Sequence, residues 1–275
     1  AFIFRFDELF LFAILLFLHL ILFTFISRGI EYYGRSIDRL ILKGNEYNER
    51  FSNSALLGLK KIAEIRDSST HKHLARVGKI SSLIARKLGQ NEPYREYITE
   101  SYIRDLELAA PLHEIGRIGI ADHILYKDSG LTDREFELMK MHVVIGGDLL
   151  SEMEKELPYQ SYFALAREMA YHHHQRWDGR GYPNVIEASG KQAFFIQEGI
   201  GKPLEKDEIP LAARIVAVAD VYDALVTKKI YKDAVSHQQA VKLISEESGK
   251  HFDPDVVTVF LSVQNDVHEI MLSSV

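Results

Sequence analysis

His173-His174-Gln175-Arg176-Trp177-Asp178-Gly179-Arg180-Gly181-Tyr182-Pro183 joins the end of an apolar, helically periodic run to a glycine-rich turn stopped by proline. The run that feeds it spans Leu165 to His174, and working outward the same period recurs on both sides. Val77, Ile80, Ser81 and Ile84 mark one helix ending near Gly89. Leu106, Ala109, Ala110 and Leu112 lead into His113, and Thr132 with Glu135 forms a capping signal for a helix carrying Met139 and His142. Leu211 to Val226 is a further helix, apolar nearly all round. No stretch alternates for long with strand period, and β-hairpin signals are nearly absent. The expectation is an all-α domain. Residues 184–209 have no clear period and read as a long loop or small flap.

The composition narrows the chemistry. The 275 residues are 47% hydrophobic and 26% charged, enough for one sizeable core plus an accessory segment. A net charge of −6 gives no global basic field for long nucleic acids. With no cysteine, disulfides, thiolate metal sites and cysteine nucleophiles are excluded. Any metal must be held by histidine nitrogen and carboxylate oxygen. The chain begins at Ala1, as a processed form or a piece of a longer protein would.

Leu9 to Ile26 is apolar apart from His19 and Thr24. As a helix it would span about 27 Å, close to the hydrocarbon thickness of a bilayer. Arg28, Arg35, Arg39 and Lys43 follow it, whereas Arg5 is offset by Asp7 and Glu8. That bias places the C-terminal portion in the cytoplasm. Residues 1–28 are therefore expected to span the cytoplasmic membrane, 29–62 to form a connecting helix suited to a homodimer, and 63–275 to form the domain proper.

The histidines and carboxylates carry the chemistry. His113, His142, His173 and His174 sit among apolar helix residues, where an unpaired imidazole is costly. Asp220 lies within Ile215-Val216-Ala217-Val218-Ala219-Asp220-Val221-Tyr222, where a carboxylate needs a cation or strong donors. Asp223, one turn on, can face the same site, with a salt bridge to Arg214 as the plain alternative for either aspartate. Adjacent helical residues point about 100° apart, so His113-Glu114 and His173-His174 suit two neighbouring metals better than one. Imidazole and carboxylate without thiolate favour iron, manganese or zinc. Arg117, Lys229 and Lys232 could bind phosphate beside them. His19, His123, His237, His251 and His268 read as structural or surface residues.

Taken together these motifs resemble the HD-GYP family from about Glu64 to Phe260. The likeness includes Glu64 to His73, Arg76-Val77, Ala109 to Ile120, Met139 to His142, His173 to Pro183, Arg214 to Leu225 and Gly249 to Pro254. The resemblance implies an HD-type helical bundle with a metal-dependent phosphodiesterase activity, hydrolysing cyclic di-GMP to linear pGpG or GMP. It implies His73, His113, Glu114, His142, His173, His174 and Asp220 as metal ligands, with two divalent ions, iron or manganese ahead of zinc. It assigns Asp67 and Asp223 to acidic positions near the attacking water, Arg117, Lys229 and Lys232 to phosphate, and Tyr182 to substrate handling. The loop around Tyr182 is also where a diguanylate cyclase partner would dock.

Five departures bear on activity. Glu114 stands where the family has aspartate, Arg117 for a lysine, Lys229 for an arginine and Gln175 for a glutamate. Ser69 replaces the glutamate of trinuclear members, which favours two metals over three. The alternative function is a catalytically degenerate domain acting as a nucleotide receptor or protein-interaction module. A third reading is a phosphodiesterase for another cyclic dinucleotide or nucleotide.

Overall fold

The computed structural model describes residues 6–66, 71–157, 161–188, 191–196, 200–228 and 234–273. It divides into two compact units, with the boundary between Ala55 and Leu56. Helix α1 (Phe6–Arg66) runs without a break through the expected boundaries at 28 and 62. Within the first unit, Phe10–Gly44 is long and apolar enough to cross a membrane, containing an 18-residue window of mean hydropathy 2.6, none of which is buried.

The second unit opens with the end of α1, where Leu56 and Ala63 enter the core. Helix α2 (His71–Leu88) follows, and its Leu74, Val77, Ile80, Ile84 and Leu88 are all buried. Those five lie at three- and four-residue spacing, one continuous stripe on a helix. Helix α3 (Glu100–Ala109) packs on α2 after an N-cap from Thr99, whose hydroxyl accepts from the Tyr102 amide. A short α4 (Asp122–Leu125) precedes α5 (Asp133–Glu156). The expected capping box is present: the Thr132 hydroxyl accepts from the Glu135 amide, and the Glu135 carboxylate from the Thr132 amide. Helix α6 (Ser161–His172) packs along α5, and α7 (Leu211–Val226) against α2 and α6. Ten of the sixteen residues of α7 are buried, which makes it the central rod of the unit. Helices α8 (His237–Glu246), α9 (Pro254–Ser262) and α10 (Gln264–Ser273) close the bundle.

Two details differ from the sequence reading. First, α6 stops at His172, so His173 and His174 form a turn beyond its end rather than its last residues. His113 and Glu114 likewise lie in a turn, between 3-10 helices Ala110–Leu112 and Ile115–Gly119. Second, the flap contains a hairpin, β1 (Asn184–Ala188) antiparallel to β2 (Lys191–Phe195). Its apolar runs are too short to show a strand period. Tertiary contacts fix it instead, with Phe194 stacked on Tyr171 of α6 at 3.7 Å and the Val185 amide donating to Lys202 O. The fold is otherwise helical, as the periodicity implies.

Candidate metal centre

Five segments of the second unit converge on one buried pocket of histidines and carboxylates. The first turns of α2 bring His73 and Arg76, three residues apart on one face. The turn after α3 brings His113 and Glu114, α5 brings His142, the turn after α6 brings His173 and His174, and α7 brings Asp220 and Asp223.

Close backbone approach sets the spacing between two of these segments. A Cβ on Gly116 would lie 1.9 Å from the His142 carbonyl and 2.5 Å from the Gly146 amide. Only glycine lets the turn carrying Glu114 lie directly on α5, and the contact places Glu114 Oε2 3.2 Å from His142 Nε2.

The donor atoms fall into two sets, each with all its atoms within 4.8 Å of one another: Glu114, His142, His173 and His174, and then His73, His113 and Asp220. His113 and Glu114 separate between the sets, as adjacent residues aimed at two sites would. His173 and His174, in contrast, both join the Glu114 set.

Hydrogen bonds decide which nitrogens face inward. Nδ1 of His113 lies 2.7 Å from Ala110 O, Nδ1 of His142 2.7 Å from Met139 O, and Nδ1 of His173 2.9 Å from Met169 O. A carbonyl only accepts, so each Nδ1 carries the proton and each Nε2 presents a lone pair. The Nε2 atoms of His142 and His173 then face one another at 3.4 Å, with the Glu114 carboxylate beside them. Buried His113 Nε2 has no hydrogen-bond partner, and Asp220 Oδ1 at 3.7 Å is too far for one. Lone pairs and carboxylates turned toward each other are repulsive unless a cation lies among them. The donor set therefore fits divalent metal, and nitrogen with oxygen but no sulfur suits first-row ions.

Electrostatics agree for the Glu114 set. Burial pushes the Glu114 carboxyl up, but the guanidinium of Arg117 and the imidazole of His142 outweigh it and hold it well below the usual carboxylate range. Burial, with His142 close by, lowers His174 to about 3, and burial likewise lowers His173, so both are neutral near pH 7. Burial would lower His73 as well, but Asp220 and Asp223 reverse the sign and raise it to about 9.

Asp223 has partners that the sequence did not suggest. Fully buried, it accepts from His73 at 2.7 Å and from both Nε and a terminal nitrogen of Arg76, the latter at 2.9 Å. Arg214, the partner considered from sequence, pairs instead with Asp253 at 2.6 Å and Asp207 at 3.1 Å. Arg117 lies against Glu114, with Nε 2.7 Å from Oε2 and a terminal nitrogen on Oε1. Tyr182 stacks on His174, ring centroids 4.7 Å apart.

Gln175 is buried and does more than omit a charge. Its amide nitrogen donates to Pro183 O at 2.6 Å and its oxygen accepts from the Leu204 amide at 3.1 Å. It ties the glycine-rich turn to the segment after the hairpin, and no carboxylate could supply the first bond.

A model of the HD domain matches residues 70–225, and a second HD-domain model matches 197–256. The chain belongs to the HD domain family. It is 40% identical over 210 residues to a cyclic di-GMP phosphodiesterase of Vibrio cholerae serotype O1, covering 76% of this chain and 39% of that one. It is 36% identical over 222 residues to a cyclic di-GMP phosphodiesterase of Thermotoga maritima, covering 81% and 52%. A 3'3'-cGAMP-specific phosphodiesterase 2 of Vibrio cholerae is 31% identical over 247 residues, covering 85% and 41%. The chain thus spans about half the length of these relatives, or less.

Within this HD domain, seven of the residues singled out from sequence as ligands lie in the two sets. Asp67, Ser69, Lys229 and Lys232 lie outside the described residues. The sequence reading gave no role to Arg76 or Lys140. Each had a signal available, Arg76 lying one helical turn from His73 and Lys140 two residues before His142.

Proposed function

We propose that this HD domain is a metal-dependent phosphodiesterase that hydrolyses cyclic di-GMP to linear pGpG and/or GMP. The observation that carries the reading is the convergence of fixed Nε2 lone pairs and carboxylates in two adjoining sets. His73, His113 and Asp220 would hold one divalent ion, and Glu114, His142, His173 and His174 a second, iron or manganese ahead of zinc. When bound, such ions supply Lewis acidity at the phosphoryl oxygens and a lowered pKa for the attacking water. The chain's own residues orient the rest. Backbone carbonyls fix the tautomers of three imidazoles, while Asp223, neutralised by Arg76, fixes His73 and acts as a positioning residue. Arg117, Lys229 and Lys232 would hold phosphate, Asp67 would orient water, and Tyr182 would border the substrate.

Residues 1–28 would span the cytoplasmic membrane, with the basic run from Arg28 to Lys43 keeping the HD domain in the cytoplasm. Residues 29–62 would connect the span to the domain at 63–275 and could pair in a homodimer. The glycine-rich turn would be the surface offered to a diguanylate cyclase.

One observation favours a second reading, a nucleotide receptor without turnover. Arg117 engages both oxygens of Glu114, a pairing that competes with metal for the carboxylate. Chromatography of cyclic di-GMP incubated with anaerobically purified chain separates the two. Release of pGpG or GMP supports the enzyme; bound nucleotide with no product in unmodified chain, and product in Glu114→Asp, supports the receptor.

A further inference from the structure

Beside the Glu114 set lies a cleft of about 520 Å³ bordered by Phe136, Lys140, His174, Arg180, Tyr182 and Asn184. A volume of this order suits a small-molecule ligand. Its floor is a continuous strip. The Tyr182 ring stacks on His174 at 4.7 Å, the Lys140 ammonium sits 5.5 Å from the Tyr182 centroid, and it lies the same 5.5 Å from the Phe136 centroid. The strip therefore begins on a metal-ligating candidate and ends on an exposed edge of α5.

Two features of the strip are unusual for mere packing. The Phe136 ring is 48% exposed although it borders a cleft. The Lys140 side chain is only 15% exposed, with its ammonium against two aromatic faces and paired to Glu137 at 2.6 Å. Glu137 is itself 52% exposed, so a ligand can compete for the cation through solvent. An ammonium donates three hydrogen bonds, and pairing with Glu137 does not exhaust it. A flat ring face beside a cation is what a nucleotide needs, a base stacking on the first and a phosphate pairing with the second.

We propose that Phe136 and Lys140 of α5, with Tyr182, form a nucleotide subsite for the half of a cyclic dinucleotide that is not being cut. Phe136 stacks on a purine, and Lys140 pairs with the second phosphate. The subsite rests on the cyclic dinucleotide reading above and extends it to residues outside the metal-ligand sets.

The test is calorimetric binding of a hydrolysis-resistant phosphorothioate analogue of cyclic di-GMP to the full chain in detergent micelles, loaded with manganese, with metal content measured alongside. Phe136→Leu is expected to weaken binding about tenfold or more, with Phe136→Trp restoring it and metal content unchanged. Lys140→Met is expected to weaken it too and to make the affinity less sensitive to salt. Unchanged affinity in both variants overturns the subsite alone, as does a loss of affinity that tracks a loss of metal. No binding by the unmodified chain overturns the subsite together with the function on which it rests.

Discussion

The two sets of ligand candidates are held in place by different means. In the Glu114 set, His142 and His173 are fixed through Nδ1 by carbonyls of their own local backbone, Met139 and Met169. In the His73 set, His113 is fixed in the same way by Ala110 O, but His73 is fixed by the side chains of Asp223 and, behind it, Arg76. A carbonyl three or four residues away cannot be removed by substitution, whereas a buried carboxylate held by one guanidinium can be. His142 and His173 are thus fixed by local backbone, whereas His73 depends on a side-chain network that crosses from α2 to α7.

That contrast can be broken in four places. The largest effect is expected from His173→Ala, which removes a nitrogen from the middle of the Glu114 set. Metal affinity there should fall by more than the hundredfold that marks the upper range for outer partners, measured by metal titration. Next comes Arg76→Met, which leaves the fully buried Asp223 carboxylate without its guanidinium. Stability should drop by about 3–5 kcal/mol in denaturant titrations, because a buried charge loses its partner. Metal affinity at the His73 set should fall about 10- to 100-fold while the Glu114 set keeps its ion. Equal loss from both sets would show that the division between them is wrong.

Gly116→Ala tests the backbone contact that brings Glu114 to α5. The new methyl would overlap the His142 carbonyl, and a destabilisation of about 1–3 kcal/mol is expected from the forced shift. Of similar size is Gln175→Glu, which restores the family's residue. It removes the donor to Pro183 O in a buried site, and about 1–3 kcal/mol of stability should be lost by the same measurement. A neutral result would mean that the glycine-rich turn is held by its other bonds, such as the Tyr182 amide to His174 O.

The helices were legible because their apolar residues repeat at three- and four-residue spacing, as in the α2 stripe, and because Thr132 with Glu135 is a local capping signal. His113, His142, His173, His174 and Asp220 were legible because imidazoles and an aspartate in apolar surroundings need a partner, whereas His73 came only through the family resemblance. Three things were not. The partner of Asp223 is 147 residues away in the chain, and only its place one helical turn from His73 points to Arg76. The end of α6 at His172 has no glycine or proline to mark it before Gly179, so the histidine pair read as helical. The hairpin depends on Phe194 meeting Tyr171, a contact with no local signature.

The central claim is that two adjoining sets each bind a divalent ion. Calorimetric titration of the metal-free chain with manganese under anaerobic conditions tests it most directly. The account expects two ions per chain, with one of them lost or greatly weakened in Arg76→Met. A single ion in the unmodified chain, or none, would contradict it.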